Sequence, residues 1–485
     1  MTRHKDMIAN GALARLGLMP DARIHAAATL ADTVAASDLE TIRVLFPDQH
    51  GVLRGKTVTA AALPAILAGG MAAPSTLLLK DTSHRTVFPV WSGAAATDAD
   101  PMRGAGDILL VPDPATFHPL PWSPHSAWLL CDAHFKSGAP IPFAPRSVLR
   151  TALDRLGARD LSLTVGLELE FHVFEKRDPH PRHRDTTMPP HPPRTRPLAT
   201  GYQFLTDALY DQLEPVMDDL RRTAQAMRMP VRSTEVEMGP SQFEFTFDPA
   251  DPMTHADTMV MFRTMAKELC ARRGLHATFM CRPRLENAAA SGWHLHQSLC
   301  NANGDNLFTP GSNGALTPYA TAWIAGLLVH ANESCLLTTP TVNGYKRYQP
   351  FQLAPDRIQW GQDNRGAMLR ALLAPGDPAS RIENRVPESA ANPYFVFASQ
   401  IISGLSGLDR DMIAPPPCEQ PYDGTAPALP ASLADAIMHF ENSALYRDAL
   451  GAGFVDWFTT IKRAEWSRYV SALSEWEQAE YFSLY

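Results

Sequence analysis

Four separated stretches of this chain alternate charged or histidine side chains with large apolar ones, at the two-residue period of a β-strand. They are Gly166-Leu-Glu-Leu-Glu-Phe171, Gln242-Phe-Glu-Phe245 with Glu237 just upstream, Trp293-His-Leu-His296, and Arg381-Ile-Glu-Asn-Arg385. Residues two apart on a strand share a face. Glu168 and Glu170 therefore point together, away from Val165, Leu167, Leu169, Phe171 and Val173. Gln242, Glu244 and Thr246 oppose Phe243, Phe245 and Phe247; His294 and His296 oppose Trp293 and Leu295; Arg381, Glu383 and Arg385 share a face. So many carboxylates gathered on one sheet surface would repel one another unless cations stood between them. The pattern calls for metal.

The rest of the composition narrows what the metal serves. A chain of 485 residues has material for two or three domains. Its formal charge of −8 argues against a nucleic-acid binder, which would show a basic face. No apolar run reaches the length of a membrane span, since Trp323 to Val329 is short and interrupted by Gly326. The first residues lack the long apolar stretch of a secretory signal. The six cysteines are scattered without a CxxC pair, which fits reduced thiols in a cytoplasmic protein.

Residues 1–37 read as an alanine-rich helical tail. From Thr41 the pattern becomes strand-like, with a hairpin formed by Ile42–Phe46, a turn at Asp48 to Gly51, and Val52–Val58. Asp107–Asp113 and Ala127–Cys131 read as further strands. The polar, proline-rich stretch from Lys136 to Pro145 marks a boundary between a small domain at 38–136 and a large α+β one at 145–485. Within the latter, Phe204–Arg228 and Thr254–Arg273 read as helices, the second with Met259, Phe262, Met265, Ala266 and Leu269 at helical spacing. Residues 178–197, crowded with proline, histidine and arginine, read as a mobile surface loop whose His180, His183 and His191 have no fixed geometry for a metal.

Hard divalent cations such as Mg²⁺ and Mn²⁺ favour oxygen ligands, and Mn²⁺ tolerates imidazole; zinc would bring more histidine or cysteine. Five glutamates and a histidine suit a site for two such cations. A second cluster is basic: Arg347, Arg365, Arg370, Arg381 and Arg385. Arginine grips phosphate and carboxylate oxygens bidentately and stays charged at any working pH. An acidic, metal-binding sheet beside such arginines is the electrostatic layout expected for a nucleoside triphosphate. Neither GxxxxGK[ST] nor GxGxxG occurs, which disfavours P-loop and Rossmann readings.

From about Leu39 onward the chain resembles the glutamine synthetase family. The resemblance rests on Gly166–Phe171, Gly239-Pro-Ser-Gln-Phe-Glu244, Ser291-Gly-Trp-His-Leu-His-Gln-Ser298, Asn343-Gly-Tyr-Lys-Arg347, Asn364-Arg365, and Arg381–Arg385 running into Ala391-Asn-Pro-Tyr394. It implies an N-terminal β-grasp domain followed by a catalytic domain on a curved antiparallel sheet, in stacked hexameric rings with sites shared between subunits. It also implies ATP and L-glutamate as substrates and two or more Mg²⁺ or Mn²⁺ ions. Glu170, Glu237 and Glu244 would hold one cation, and Glu168, His294 and Glu383 the other, with Glu235 replacing Glu237 if the register slips by one pleat. His296, Ser298, Arg370 and Arg381 match nucleotide contacts. Arg365 matches the arginine at the transferred phosphoryl group, while Arg347 and Arg385 match contacts to the glutamate carboxylate. Glu170 borders that substrate, and Arg365, Glu383 and Arg385 would be catalytic.

The departures are as informative. Ammonia-using members carry a flap glutamate before an Ala-Pro pair, where this chain has Leu353 before Ala354-Pro355. Their catalytic aspartate loop corresponds to Met71-Ala-Ala-Pro-Ser-Thr76, which has no carboxylate, and their Asn-Gly is replaced by Ala289-Ala290. Gln297, Trp360-Gly361 and the tail from Ser474 to Tyr481 look like the branch that joins glutamate to larger amines. Asp81, His84 and Arg85 lie in a hairpin that could approach a neighbour's site. The expectation is an ATP-dependent γ-glutamyl–amine ligase working through a γ-glutamyl phosphate. Ordinary glutamine synthetase activity, a catalytically silent scaffold and a phosphagen-type kinase stand as alternatives.

Overall fold

The computed structural model describes residues 4–91, 100–178, 180–349 and 353–485. Residues 1–3 of the predicted tail, 92–99 of the predicted small domain and 179 of the predicted loop lie outside them. Three helices open the chain: α1 (Lys5–Ala9), α2 (Ala12–Arg15) and α3 (Asp21–Ala35). Their apolar sides are buried at Ile8, Leu13, Ala27, Leu30 and Val34, packed with α4 (Leu63–Gly69). The segment is thus part of the small core rather than a free tail.

The small sheet is built from β1 (Thr41–Pro47), β2 (Leu53–Thr59), β3 (Met71–Pro74), β4 (Asp107–Pro112), β5 (His118–Leu120) and β6 (Ser123–His134). Its order is β2-β1-β6-β4-β3, with β5 also on β6. β1 and β2 form the hairpin read from the sequence, closed by a turn in which Asp48 Oδ1 accepts the amides of His50 and Val52 and Gly51 takes φ +67°. β1 runs parallel to β6 at the centre, the mixed arrangement of a β-grasp unit.

After α5 (Pro145–Gly157) the chain enters a nine-stranded sheet: β7 (Ser162–Lys176), β8 (Thr195–Pro197), β9 (Val231–Val236), β10 (Gln242–Ala250), β11 (Leu275–Thr278), β12 (Trp293–Cys300), β13 (Trp360–Gln362), β14 (Leu369–Leu372) and β15 (Arg381–Asn384). The order is β13-β14-β15-β12-β7-β10-β9, with β8 and β11 also on β7; all pairs but β13–β14 are antiparallel. The helices are α6 (Asp207–Ala226), α7 (Pro252–Arg272), α8 (Pro318–Val329), α9 (Ala331–Thr338), α10 (Pro393–Asp409), α11 (Leu433–Glu441), α12 (Ala444–Leu450), α13 (Ala452–Val470) and α14 (Glu475–Tyr481). Asp251 caps α7 by accepting the amides of Met253 and Thr254, and Pro252 supplies the fixed φ of the first turn.

One face of this sheet is oily. Leu167, Leu169, Phe171, Phe243, Phe245, Trp293 and Leu295 are all buried, and the Phe171 ring meets those of Phe243, Phe245, Phe262 and Phe279. Each such side chain contributes on the order of 1.5–3 kcal/mol by leaving water, which pins the register of the strands that carry them. α10, buried along nearly its whole length, lies against α8 so closely that a Cβ on Gly407 would stand 1.9 Å from the Ala322 carbonyl oxygen. The two units are joined by Arg146 of α5, which pairs with Asp113 (2.7 Å) and Asp132 (3.0 Å) of the small sheet and with Asp257 (3.1 Å) of α7. Among the described residues no helix is long and apolar enough to cross a membrane.

Candidate active site

Register delivers the other face. Glu170 lies opposite Glu244, and Glu244 opposite Glu235, across β7, β10 and β9. Glu168 lies opposite His294, and His296 opposite Glu383, across β7, β12 and β15. Arg370 of β14 continues that row beside Glu383. Because the period is two on every strand, these side chains all leave the same face. Glu237 stands one residue past β9, where its amide donates to the Gln242 carbonyl at 3.0 Å. Its carboxyl hydrogen-bonds that of Glu244, whereas Glu235 accepts from the Ser233 hydroxyl at 2.9 Å.

His294 is the pivot between two groups of carboxylates. Its Nδ1 is 3.0 Å from Glu168 and 3.8 Å from Glu383; its Nε2 is 3.7 Å from Glu170. On one side, Glu168, His296 and Glu383 each bring a ligand atom within 4.8 Å of the others. His296 Nε2 is 2.7 Å from Glu168, while Arg381 Nε donates to its Nδ1 at 3.2 Å. That donor fixes the tautomer, so His296 offers Glu168 a proton rather than a lone pair. His294 is held in the same sense: Arg347 Nη2 donates to its Nε2 at 3.5 Å and its Nδ1 gives a proton to Glu168 at 3.0 Å.

The charge states of the two groups differ. Burial alone would raise Glu168, but hydrogen bonds from His294 and His296 hold it far below the ordinary range. Burial likewise works against ionised Glu383, and the adjacent Arg385 overcomes it. Glu383 is bonded by Arg385 on one oxygen and by Arg370 at 3.1 Å on the other. On the opposite side of His294, burial and then the Glu237 charge push Glu170 up to about 8. Burial, then Glu170 and Glu168, raise Glu244 well above its usual value, and burial raises Glu237. Among the described residues no lysine or arginine forms an ion pair with Glu170, Glu237 or Glu244. The Glu237–Glu244 contact requires one of the two to keep a proton. Carboxyls that burial and mutual repulsion drive to hold protons are an oxygen donor set fit for a hard divalent cation.

Supporting groups fix these side chains. Glu170 Oε2 accepts from Gln242 Nε2 (3.1 Å) and the Gly292 amide (3.0 Å), leaving Oε1 toward His294. Gln242 also donates to Ser291 Oγ at 3.0 Å. A Cβ on Gly292 would lie 2.4 Å from Arg347 Nη2, so glycine there makes room for the guanidinium. Arg347 is buried and donates through Nη1 to the carbonyls of Val386 and Pro387 at 3.0 and 3.3 Å. The Arg385 Nε is buried without a hydrogen-bond partner.

A cavity of about 1010 Å³ opens beside the neutralised group, and Glu168, His296, Ser298 and Arg381 all line it. Ser298 donates its hydroxyl to the Ser380 carbonyl at 2.9 Å. Arg365 stands apart, exposed on the turn between β13 and β14 with no hydrogen bond to a described residue. Leu353 is exposed at φ +51°, and its carbonyl oxygen is 3.4 Å from Arg385 Nη2; residues 350–352 lie outside the described residues. Asp81 is buried and already used: it accepts the amides of Ser83 and Arg85 and pairs with Arg468. Nothing in the sequence pattern marks Gln242, Ser291 and Gly292 as supports of Glu170. Alternation places Gln242 on the carboxylate face, but only strand pairing reveals which carboxylate it meets.

Residues 142–481 match the family described as glutamine synthetase, catalytic domain. The chain is 37% identical to a gamma-glutamylanilide synthase of an Acinetobacter species over 96% of this chain and 97% of that one. It is 33% identical to a gamma-glutamylethanolamide synthetase of Streptomyces coelicolor over 92% and 93%. Among solved structures, a GmaS/ADP complex superposes with a TM-score of 0.78 at 29% identity, covering 94% of this chain and 99% of that one.

Proposed function

The chain belongs to the glutamine synthetase family, and from that premise we propose that it is an ATP-dependent ligase that joins the γ-carboxyl of L-glutamate to a primary amine. The observation that carries the reading is the single sheet face on which His294 separates an un-neutralised carboxylate group from one already held by arginine and histidine. Relatives named for anilide and ethanolamide products support a substituted amine over ammonia, as does Leu353 where ammonia-using members carry glutamate.

Glu170, Glu237 and Glu244 would hold one divalent cation, and Glu168, His294 and Glu383 a second. The cations, Mg²⁺ or Mn²⁺, supply positive charge that lets phosphate and carboxylate anions approach one another. His296, Ser298 and Arg381, which line the large cavity, hold the ATP there, and Arg370, paired with Glu383 beside it, meets its phosphates. Arg347 keeps Nη2 free of the backbone carbonyls and, with Arg385 and Glu170, orients the glutamate. Arg365 is exposed and uncommitted, so it can fold over the transferring phosphoryl group and stabilise its developing charge. The γ-carboxylate oxygen attacks the terminal phosphorus of ATP and releases ADP. The amine nitrogen then attacks the acyl carbon of γ-glutamyl phosphate; phosphate leaves, and the nitrogen loses a proton. Leu353 presents an apolar wall, which favours uncharged alkyl or aryl substituents and leaves a second ammonium unpaired.

The exposed apolar residues of the C-terminus, Leu473, Trp476, Phe482 and Leu484, support assembly into a homo-oligomer, a dodecamer of two stacked hexameric rings. The six free cysteines suit the cytoplasm. Light scattering on the purified protein measures the assembly. The reaction is tested by supplying ATP, Mg²⁺ or Mn²⁺, glutamate and a panel of amines. Phosphate release that needs both glutamate and an amine supports the ligase. Best turnover with ammonium alone returns the chain to ordinary glutamine synthetase activity.

A further inference from the structure

A second cavity, of about 340 Å³, lies between the β1–β2 hairpin and the helices of the large unit, and none of the carboxylates or arginines of the site lines it. A volume of this order is at the lower end of small-ligand pockets. Its walls combine Val52, Phe279 and Phe395 with three cationic side chains, Arg263, Lys267 and Lys462, and no acidic residue lines it. Lys462 is neutralised from outside by Glu465 at 3.1 Å. The other two are not. Arg263 is buried and donates only to carbonyls, those of Ser389 (3.1 Å), Ala391 (2.9 Å) and Gly51 (3.4 Å), and burial pushes it down to about 10. Lys267 is exposed and forms no ion pair or hydrogen bond with a described residue.

One wall residue points to more than charge. Gln49 is 1% exposed and donates its Nε2 to the Lys80 carbonyl, but its Oε1 is buried with no hydrogen-bond partner. A buried acceptor with nothing to accept from is costly and rare in folded proteins. A ligand carrying a donor would satisfy it.

We propose that this cavity binds a small carboxylate that carries a hydroxyl on an apolar body, with the carboxylate at Lys267 and Arg263 and the hydroxyl on Gln49 Oε1. Inorganic phosphate fits less well, because it leaves the aromatic walls unused. The carbonyls that Arg263 holds belong to the segment just after Arg385 and Glu388, so an occupant also rests against the backbone that carries part of the active site. The proposal does not depend on which amine the enzyme uses.

The test is calorimetric titration of the intact, assembled protein with 4-hydroxybenzoate, benzoate, 4-hydroxybenzyl alcohol and inorganic phosphate. We expect 4-hydroxybenzoate to bind best at one site per chain, benzoate more weakly, and the alcohol and phosphate poorly. Lys267→Gln should weaken 4-hydroxybenzoate about tenfold, the size of one charged hydrogen bond, with ligase turnover unchanged. Gln49→Met should abolish the advantage of 4-hydroxybenzoate over benzoate. The proposal is overturned if no carboxylate binds, if the alcohol or phosphate binds as well as the acid, or if Lys267→Gln leaves the affinity unaltered, which would place the ligand in the active site instead.

Discussion

On either side of His294 the same sheet face carries two groups of carboxylates in opposite electrical condition. Glu168 and Glu383 are kept ionised by histidine and arginine, whereas among the described residues Glu170, Glu237 and Glu244 form no ion pair with a lysine or arginine, and burial raises all three. The first group is complete as protein alone. The second is a crowded set that burial and mutual repulsion drive to hold protons, whose place a cation would take. Carboxylates of one sheet can thus be neutralised by protein partners in one place and left to hold protons in the next.

The largest expected effect breaks the second group. Glu244→Gln removes a proposed cation ligand while keeping volume and hydrogen-bonding capacity. We expect turnover to fall by more than about 100-fold, since disturbing even the groups behind a metal ligand costs 10–100-fold. In chelator the same variant should melt no lower than the parent, because the amide, like the protonated carboxyl, brings no charge into the buried group. A lower melting temperature would show that Glu244 does not hold a proton in the metal-free protein.

Glu383→Gln is the mirror experiment. Here the carboxylate is fully buried, and Arg370 and Arg385 lose their partner. Breaking a buried pair from one side costs about 3–5 kcal/mol, so urea denaturation in chelator should show marked destabilisation along with lost turnover. Equal stability to the parent would erase the contrast between the groups.

The pH dependence sharpens it further. Glu170, raised to about 8 from the ordinary carboxylate value of 4.5, contributes stability that is present at acid pH and lost as pH rises through about 8. Glu168 and Glu383 are lowered, so their contribution is present above the ordinary carboxylate range and is lost as pH falls through their depressed values. Chelated protein should therefore melt at progressively lower temperature as pH rises from about 4.5 to about 8, and level off above that. Mn²⁺ should remove that slope, as thermal scans across the pH range with and without the ion would show.

How much of this could be read from sequence follows from range. Two-residue alternation is local, so it places Glu168, Glu170, Glu244, His294, His296 and Glu383 on one kind of face without reference to the fold. It does not show which residue meets which, because the order β15-β12-β7-β10-β9 joins strands far apart in the chain. Thus Glu237, which sits beyond a strand end and contacts Glu244, was legible through the family resemblance alone. The two histidines share a face, and only their arginine contacts, Arg381 on His296 and Arg347 on His294, reveal which ring nitrogen of each carries the proton. The Arg146 network between the two units left no periodic trace, since its aspartates come from three separate elements. The first helices look like a tail because their apolar residues are mostly alanine, which bury well but signal weakly.

The smallest effect tests the far end of the cavity that the neutralised group borders. Ser298 shares the face of His294 and His296 and lines that space, yet its proton is already given to the Ser380 carbonyl. It can therefore meet a nucleotide only as an acceptor, through one neutral hydrogen bond worth about 1 kcal/mol. Ser298→Ala should raise the KM for ATP about fivefold at most, with kcat unchanged, because nothing there touches the reacting phosphorus. A fall in kcat instead would move Ser298 to the chemical end of the cavity. The carboxylates beside it would then belong with the substrate rather than with the nucleotide.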